Sequence, residues 1–510
     1  MTSVRRINKP FNFRLMASLT ISLIGGILFG VILSYFDIDG IYVTVPFVLA
    51  AVPFAICTVK FKNTSLCLCF AFLIAAFLIG AVIVMIYCGV LSSTEIVSGK
   101  EYLVEGRVDK VGITSGGTTY LVISNVRADG TRLSGKIIAY LGKNAGEYCE
   151  KGYTVRFYTS LTKEAVFDGG TGSYYAQNGI EYRCTVNSGL DSTWGFSLFG
   201  WANRGLRNAL FNNLDGETAS VCYAMLTGDS TLISEGTITS FRNGGIAHLF
   251  AVSGLHIGVL FGSLTLLFKK LPVNRYASAA IRILVIFFYA GVCNFTPSSV
   301  RATIMCAVSL IASLAYKKND SLNSLSLSAF ILLLINPMYI FGAGFLLSFG
   351  AVLGIIMLSR NIRDLLRFLP RKLSNALSVG ISAQLSTAPT QMAFFGYVSW
   401  AGLFLNVIII PVVSILYVLL FFCTVFSAII PQAAGVLVPF AASPIQLLIN
   451  LVVELGFENA IIQCPFGMWI YIPFAMVLMA LSDKFNFNPV WRSVLMSVAM
   501  VCLCVGFVLV

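Results

Sequence analysis

The chain has few charged residues and very little histidine. Only 11% of its 510 residues are charged and two are histidine, whereas 57% are hydrophobic. A soluble domain of ordinary composition has about 25% charged residues. This shortage of charge excludes a soluble enzyme with one buried core, and it also excludes disordered, collagen-like and small disulfide-rich chains. The sequence therefore predicts a polytopic α-helical membrane protein.

The sequence also lacks the short motifs of several enzyme classes. It contains no GxxxxGK phosphate loop followed by Ser or Thr, no HExxH, HxHxDH or GxSxG pattern, and no CxxC spacing among its 13 cysteines. Such motifs position a phosphate, a zinc ion or a catalytic nucleophile. We therefore predict no cofactor, no metal site and no catalytic residue, and hence no nuclease or ATPase activity on this chain.

Apolar segments long enough to cross a bilayer recur along the chain. A helix needs about 20 mainly apolar residues to span the hydrocarbon core, and by this rule we expect about 11–13 spans. The candidates lie near Leu15–Tyr35, Ile41–Val59, Ser65–Leu91, Gly244–Phe268, Ser278–Phe295, Ser298–Tyr316, Leu322–Asn336, Met338–Leu358, Asn375–Phe395, Trp400–Ile430, Gly435–Leu455, Met468–Leu481 and Ser493–Val510.

Lysine and arginine in the connecting loops indicate how the spans are oriented, because these residues collect on the cytoplasmic side. When the spans alternate from a cytoplasmic N-terminus, every basic cluster falls on that side, including the strongest one, Arg360–Lys372. This orientation predicts a multi-pass protein of the cytoplasmic membrane with residues 92–199 outside. The net charge of +12 mainly reflects this orientation, because the exported segment Glu95–Asp191 holds 11 basic and 11 acidic residues.

Composition divides the chain into four regions. Residues 1–91 hold three spans, residues 92–199 are less apolar, residues 200–243 are an interfacial or amphipathic helical segment, and residues 244–510 hold the remaining spans. Within the third region, Trp201–Phe211 has its apolar residues on one helical face. Such a helix either lies in the membrane interface or packs on the membrane domain.

The exported region contains five short segments that alternate apolar and polar side chains. This alternation has the period of half-buried strands, and Asp129-Gly130 supplies a hairpin turn. Five strands in about 100 residues favour a small OB-like β-barrel, with a β-sandwich fragment as the alternative. The segments are Glu101–Ile113, Thr118–Asn125, Gly135–Leu141, Thr154–Ser160 and Ile180–Val186.

Two cysteines, Cys149 and Cys184, lie in this exported domain. The compartment outside the cytoplasmic membrane permits disulfides, so we expect these two to form a bond that closes a long loop. Two buried thiols are the alternative.

Polar residues and prolines interrupt several predicted spans. Polar side chains at membrane depth face a bundle interior or a wet cavity, and broken helices are tolerated where they line one. The two histidines lie eight residues apart and point about 80° away from each other on a helix, so we do not expect them to share a metal ion. The candidate lining residues are His248, Ser253, His256, Asn294, Ser298, Arg301, Gln384 and Asn406. The candidate packing and helix-breaking residues are Gly254, Gly258, Pro297, Pro389 and Pro411.

The segment Ala247–Gly258, with the sequence AHLFAVSGLHIG, resembles the signature of the ComEC competence family. The resemblance continues in order along the chain, and it extends to the three N-terminal spans and the exported β-domain. Its further motifs are Leu226–Asp229, Pro297–Ala302, Asn336-Pro337, Gly344–Phe349, Ala351–Gly354, Gln384–Pro389, Phe395-Gly396, Asn406 with Pro411, Phe167–Gly169 and Gly179-Ile180.

The resemblance implies import of single-stranded DNA across the cytoplasmic membrane during natural transformation. It further implies that the exported OB-like domain meets the DNA and that the competence domain, residues 244–510, forms the channel. Arg301 would then offer a positive charge to passing phosphates; the alternative is that its side chain reaches the outer interface or the C-terminus of a helix. Besides DNA and the lipid bilayer, the implied partners are an external DNA receptor, a cytosolic ATPase or helicase and a separate nuclease, and oligomerisation is left open.

The chain departs from the family pattern in one respect. Many members carry a C-terminal metallo-β-lactamase-like domain, whereas this sequence ends in a hydrophobic span, and two histidines cannot build that metal site. A short form without nuclease activity is therefore expected. The alternatives to a DNA channel are a transporter of another polymer or solute, and a membrane scaffold within a larger assembly.

Overall fold

A computed structural model describes residues 15–35, 64–92, 99–114, 118–142, 151–163, 175, 177–186, 189–193, 195, 197–463, 470–481 and 496–499. Most of these residues are helical. The helices are α1 Leu15–Tyr35, α2 Thr64–Ser92, α3 Leu198–Phe211, α4 Gly216–Thr227, α5 Glu235–Asn243, α6 Gly254–Lys270, α7 Arg275–Val292, α8 Pro297–Leu314, α9 Ser321–Ile335, α10 Ala343–Leu365, α11 Arg371–Phe395, α12 Ala401–Ile429, α13 Ala434–Leu455 and α14 Tyr471–Leu481.

Seven helices in the described ranges are long and apolar enough to cross a membrane. They involve α1, α2, α7, α8, α10, α12 and the segment that contains α13, and the shorter helix α9 is also apolar. The expectation of a polytopic membrane protein is therefore confirmed. The total of about 11–13 spans stays a prediction, because Ile41–Val59 and most of Ser493–Val510 lie outside the described residues.

Two expectations about helix boundaries are wrong. The span predicted near Gly244–Phe268 begins at Gly254, because Gly245 has a positive φ of 68° and the chain then forms only a short 3₁₀ turn, Ala247–Leu249, before α6. Pro389 and Pro411 do not break their spans, since they lie inside the continuous helices α11 and α12. Neighbouring helices allow a membrane helix to continue through a proline.

The described residues from 99 to 193 form one mixed sheet, as the alternating segments of this region predict. The strands are β1 Glu101–Ile113, β2 Thr119–Ala128, β3 Thr131–Arg132, β4 Lys136–Leu141, β5 Thr154–Ser160, β6 Thr162–Lys163, β7 Ile180–Val186 and β8 Asp191–Thr193. The sheet has the strand order β6-β7-β4-β2-β1-β5-β8, with β3 paired to β2, and β4 and β7 form the parallel pair. Val108, Leu121, Ile137, Phe157 and Tyr182 are at most 1% exposed and belong to its core.

The predicted hairpin turn joins β2 to β3. Asp129 and Gly130 have positive φ values of 48° and 81°, and Ala128 pairs with Thr131 across them. Asp-Gly suits this position because both central residues of a tight two-residue turn need positive φ. The sequence prediction of this turn is confirmed.

Helices α3 and α4 pack on the membrane helices. Leu206, Ala209 and Leu210 of α3 are buried, whereas Trp201 is 61% exposed. The apolar face predicted for Trp201–Phe211 therefore packs on the helices, in agreement with one of the two interpretations of that segment. Helix α4 is more enclosed, because every residue from Thr218 to Thr227 is buried.

Candidate functional site

The signature segment around Gly254 folds into the start of helix α6. Ser253 is the N-cap, and its hydroxyl oxygen accepts a hydrogen bond from the backbone N–H of Leu255 at 3.2 Å. The Nδ1 atom of His256 accepts the backbone N–H of Ser253 at 3.1 Å. The Ser253 hydroxyl also accepts from the backbone N–H of His256, and this reciprocal pair is a capping box, which satisfies N–H groups that the first helical turn leaves without partners. Ser253 and His256 thus fix where α6 begins.

His256 also joins a buried chain of aromatic residues. Its ring lies edge-on to Tyr417 of α12, with 4.6 Å between the ring centroids. The hydroxyl of Tyr417 donates to that of Tyr289 at 2.7 Å, and Tyr289 donates to the carbonyl oxygen of Leu226 at 2.6 Å. This chain ties α6, α12, α7 and α4 together. His256 is 2% exposed, so in this structure it supports the fold of the signature segment and does not face an open passage.

Arg301 lies in the second turn of α8 and is also buried, with 5% of its surface exposed. Its Nη1 atom donates to the carbonyl oxygen of Ser348, and its guanidinium carbon lies 5.7 Å from the centroid of the Phe349 ring. No carboxylate of the described residues forms an ion pair with it. The prediction that Arg301 lines a passage is therefore at odds with its burial, and so is the alternative that it reaches the outer interface. Its guanidinium instead joins α8 to α10.

Gly254 allows Arg301 to approach α6. A Cβ atom at Gly254 would overlap the Nη2 atom of Arg301. Gly258, one turn further on, is exposed, and none of the described residues lies within 4 Å of the Cβ that it lacks. The close packing predicted for both glycines is therefore found at Gly254 but not at Gly258, because the approach is confined to the first turn of α6.

The start of α8 is set by its own sequence. Thr296 is the N-cap and Pro297 is the first helical residue, where its fixed φ and missing N–H cost nothing. The next residue is Ser298, whose hydroxyl accepts a hydrogen bond from that of Ser348 at 3.0 Å. Ser298 and Arg301 therefore contact the same residue of α10, which makes this the junction of α6, α8 and α10.

A chamber of about 710 Å³ lies between the sheet and the helices, next to this junction. Phe345 lines it and stacks on Phe349 with 4.2 Å between ring centroids, so the chamber wall leads directly to the ring beneath Arg301. The sheet side of its lining includes Asp109–Ile113 of β1 and Lys151, which precedes β5. The helical side includes Gly200, Arg204 and Arg207 of α3, Thr227–Leu232 at the end of α4 and after it, Val292–Pro297 from the end of α7 to the start of α8, and Tyr339, Gly344 and Phe345.

Basic residues outnumber acidic residues on the chamber lining. Lys151 donates to the side-chain oxygen of Asn294, a residue with a positive φ of 60°, and so connects the sheet domain to the loop between α7 and α8. Burial lowers the pKa of the Lys151 ammonium, and nearby Asp109 opposes this change. The four cations are Lys110, Lys151, Arg204 and Arg207, and the two carboxylates are Asp109 and Asp229.

The remaining predicted lining residues are dispersed. His248 is exposed on the 3₁₀ turn before α6, Gln384 is half-buried on α11, and the buried Oδ1 atom of Asn406 on α12 has no hydrogen-bond partner within the described part of the chain. These three do not line the chamber, whereas Asn294 and Pro297 do.

Only one of the two cysteines of the predicted disulfide lies within the described residues. Cys184 of β7 is a buried free thiol, and burial raises its pKa to about 12. Cys149 lies outside the described residues. The pairing of the two cysteines therefore stays a prediction.

Sequence reasoning missed the chamber cations and the tyrosine chain. Lys110, Arg204 and Arg207 lie in segments that show no basic cluster, and only the fold brings them together. Tyr289 and Tyr417 are separated by 128 positions in the chain. Their occurrence within otherwise apolar spans was the one available signal, because a buried tyrosine hydroxyl needs a hydrogen-bond partner.

Comparison with known proteins supports the resemblance of the signature segment. A family model described as Competence protein matches residues 225–482, which is about half of the chain. ComE operon protein 3 of Bacillus subtilis (strain 168) is 28% identical over 198 residues, 39% of this chain and 25% of the relative. An uncharacterized protein of Aquifex aeolicus (strain VF5) is 30% identical over 218 residues, 43% of this chain and 47% of the relative.

The matched segments span a quarter of the first of these curated relatives and just under half of the second. No solved structure matches the chain. The family match covers the signature segment, the junction around Arg301 and the helices that surround them. The chain is therefore a member of the competence protein family.

Proposed function

We propose that this protein is a channel that passes single-stranded DNA across the cytoplasmic membrane during natural transformation. The observation that carries the proposal is the chamber between the sheet and the helices, whose lining holds four cations and two carboxylates. A strand of DNA carries one charge per phosphate, so a basic wall attracts it without regard to sequence. Family membership supports DNA as the cargo.

The proposed path leaves the chamber at the start of α8. Phe345 lines the chamber there and stacks on Phe349 behind it; both rings are largely buried and form one wall of the passage. Arg301 lies behind Phe349 and holds α8, α10 and the first turn of α6 in register. In this proposal Arg301 is a positioning residue of the passage.

The proposal gives the sheet a function in DNA entry. In this proposal the sheet is an OB-like domain outside the membrane, and the N-terminus of the protein is cytoplasmic. The DNA strand reaches the chamber along β1. Ile113 at the end of β1 is 43% exposed and borders the chamber. The driving force and the removal of the second strand are assigned to other proteins: a DNA receptor outside, an ATPase or helicase in the cytosol and a separate nuclease.

We expect the combined variant Lys110→Gln, Arg204→Gln and Arg207→Gln to take up labelled DNA about tenfold more slowly than the unchanged protein. Each substitution removes a cation from the chamber lining and keeps a polar side chain, so the phosphates lose electrostatic attraction. The measurement is uptake of labelled DNA in a deletion strain that expresses the variant, with the amount of membrane-inserted protein determined in parallel.

The matched control neutralises three exposed cations in or next to the same sheet that do not line the chamber. Lys100, Arg132 and Arg156 are replaced by glutamine in the same way, and uptake should stay within about twofold of normal. Undiminished uptake by the chamber variant, or an equal loss in both variants, would remove the chamber from the DNA path. Undiminished DNA uptake in the deletion strain itself would contradict the DNA-channel proposal. The protein would then be a transporter of another polymer or solute, or a membrane scaffold.

A further inference from the structure

The turn between α10 and α11 combines exposed cations with exposed apolar side chains. Leu365, the last residue of α10, is 76% exposed, and Phe368 in the turn is 78% exposed. Large apolar side chains at a water-facing turn are unfavourable unless something covers them. Five exposed cations lie in this turn and the adjoining helix ends, which are together called the α10–α11 turn: Arg360, Arg363, Arg367, Arg371 and Lys372.

The positive charge of this turn is only slightly compensated. Arg363 and Arg367 both approach the carboxylate of Asp364, at 3.9 and 3.3 Å. Arg360 and Arg371 form no ion pair with any residue in the described ranges. The turn therefore presents several cations around two apolar side chains, which is the pattern of a surface that binds anionic groups at an apolar boundary.

The position of the turn favours lipid as the source of those anionic groups. Helix α10 is one of the helices with the length and composition of a membrane span, and it ends at Leu365. The turn therefore begins where such a helix leaves the hydrocarbon core. Headgroup phosphates lie within reach of arginine side chains at this depth, and Leu and Phe favour the acyl boundary just below.

We propose that the turn between α10 and α11 is a binding site for anionic phospholipids of the adjoining leaflet. Leu365 and Phe368 enter the acyl boundary, and the guanidinium groups of Arg360, Arg367 and Arg371 hold the lipid phosphates. Arginine suits this contact because its planar fork donates two parallel hydrogen bonds to one phosphate. The site anchors the α10–α11 hairpin, whose other end adjoins the chamber.

The test uses the full chain with Phe368→Trp in nanodiscs of phosphatidylcholine that contain a minority of phosphatidylglycerol. Fluorescence of the new tryptophan is obtained by difference from the unsubstituted chain, which has five tryptophans. Bromine atoms, which quench tryptophan on contact, are placed on the acyl chains of one lipid at a time. For equal amounts of brominated lipid, we expect phosphatidylglycerol to quench about twice as strongly as phosphatidylcholine.

A second variant distinguishes binding of headgroups from simple immersion of the turn. Replacing all five cations of the turn by glutamine should abolish the preference for brominated phosphatidylglycerol, whereas Lys317→Gln with Lys318→Gln, at the end of α8, should leave it unchanged. Equal quenching by both lipids would overturn the proposal. Quenching by aqueous acrylamide but by neither lipid would also overturn it, and would point to a soluble acidic protein or the DNA strand as the occupant.

Discussion

Replacing Arg301 by alanine should reduce DNA uptake by about a hundredfold while the protein remains in the membrane. The substitution removes the donor to the carbonyl oxygen of Ser348 and uncovers the ring of Phe349. It also leaves a void against Gly254, so α6, α8 and α10 lose their common contact. The carbonyl oxygen of Ser348 keeps its partner within α10, so the loss is one hydrogen bond from a charged donor, about 1.5–3 kcal/mol, and the void adds to that cost. The measurement is uptake of labelled DNA, normalised to the amount of protein in the membrane.

Two further variants separate this effect from a general loss of a buried cation. Arg282 of α7 is a second buried arginine, and its contacts are with Ser278 and Thr265, away from the chamber. Arg282→Ala should retain most of the uptake. DNA uptake by Arg301→Lys should lie between that of Arg301→Ala and that of Arg282→Ala. An ammonium group can donate to the carbonyl oxygen of Ser348, but it cannot cover the Phe349 ring as a guanidinium does. Normal uptake by Arg301→Ala would remove Arg301 from the pathway.

Gly254→Ala should lower DNA uptake by about tenfold, whereas Gly258→Ala should have no effect. The new Cβ at Gly254 would occupy the position of the Arg301 Nη2 atom, and that guanidinium is held by Ser348 and enclosed on its other side by Phe349. Arg301 must then give up one of its contacts. Gly258 has open space where its Cβ would lie, within the part of the chain that the structure describes.

The two glycines make a matched pair, since they belong to one motif and one helix and undergo the same change. Alanine favours a helix interior over glycine by about 1 kcal/mol, so Gly258→Ala should be structurally neutral or favourable, whereas the overlap with Arg301 opposes the change at Gly254. The measurement is the ratio of DNA uptake by Gly254→Ala to DNA uptake by Gly258→Ala, at equal amounts of protein in the membrane. Equal uptake by both variants would mean that the approach of Arg301 to α6 has no effect on transport.

Local features of the fold could be predicted from the sequence because they depend on neighbours along the chain. The Asp129-Gly130 turn follows from the positive φ that such turns need. Most helices follow from runs of apolar residues, and Thr296-Pro297 marks the start of α8. The position of α6 was predicted ten residues too early, because apolar composition continues through Gly244–Ser253 although Gly245 bends the chain.

The environment of the site residues could not be predicted from the sequence. Arg301 is buried by Ser348 and Phe349, which lie nearly fifty positions later on α10, and polarity alone made it a candidate for a wet passage. The role of His256 as a cap partner was within reach, since it stands three residues after Ser253 where a capping box places an acceptor. The chamber cations come from β1, the segment before β5 and α3, and only tertiary packing makes them one surface.

The most direct test of the central proposal is to ask which residues touch the DNA strand during uptake. A photo-crosslinking amino acid is placed at Ile113, which borders the chamber, and in a parallel strain at Ile415, which is 72% exposed on α12 and does not border it. If single-stranded DNA passes through the chamber, labelled DNA should crosslink at Ile113 during uptake and not at Ile415. Normal DNA uptake without any crosslink at Ile113 would contradict the proposal.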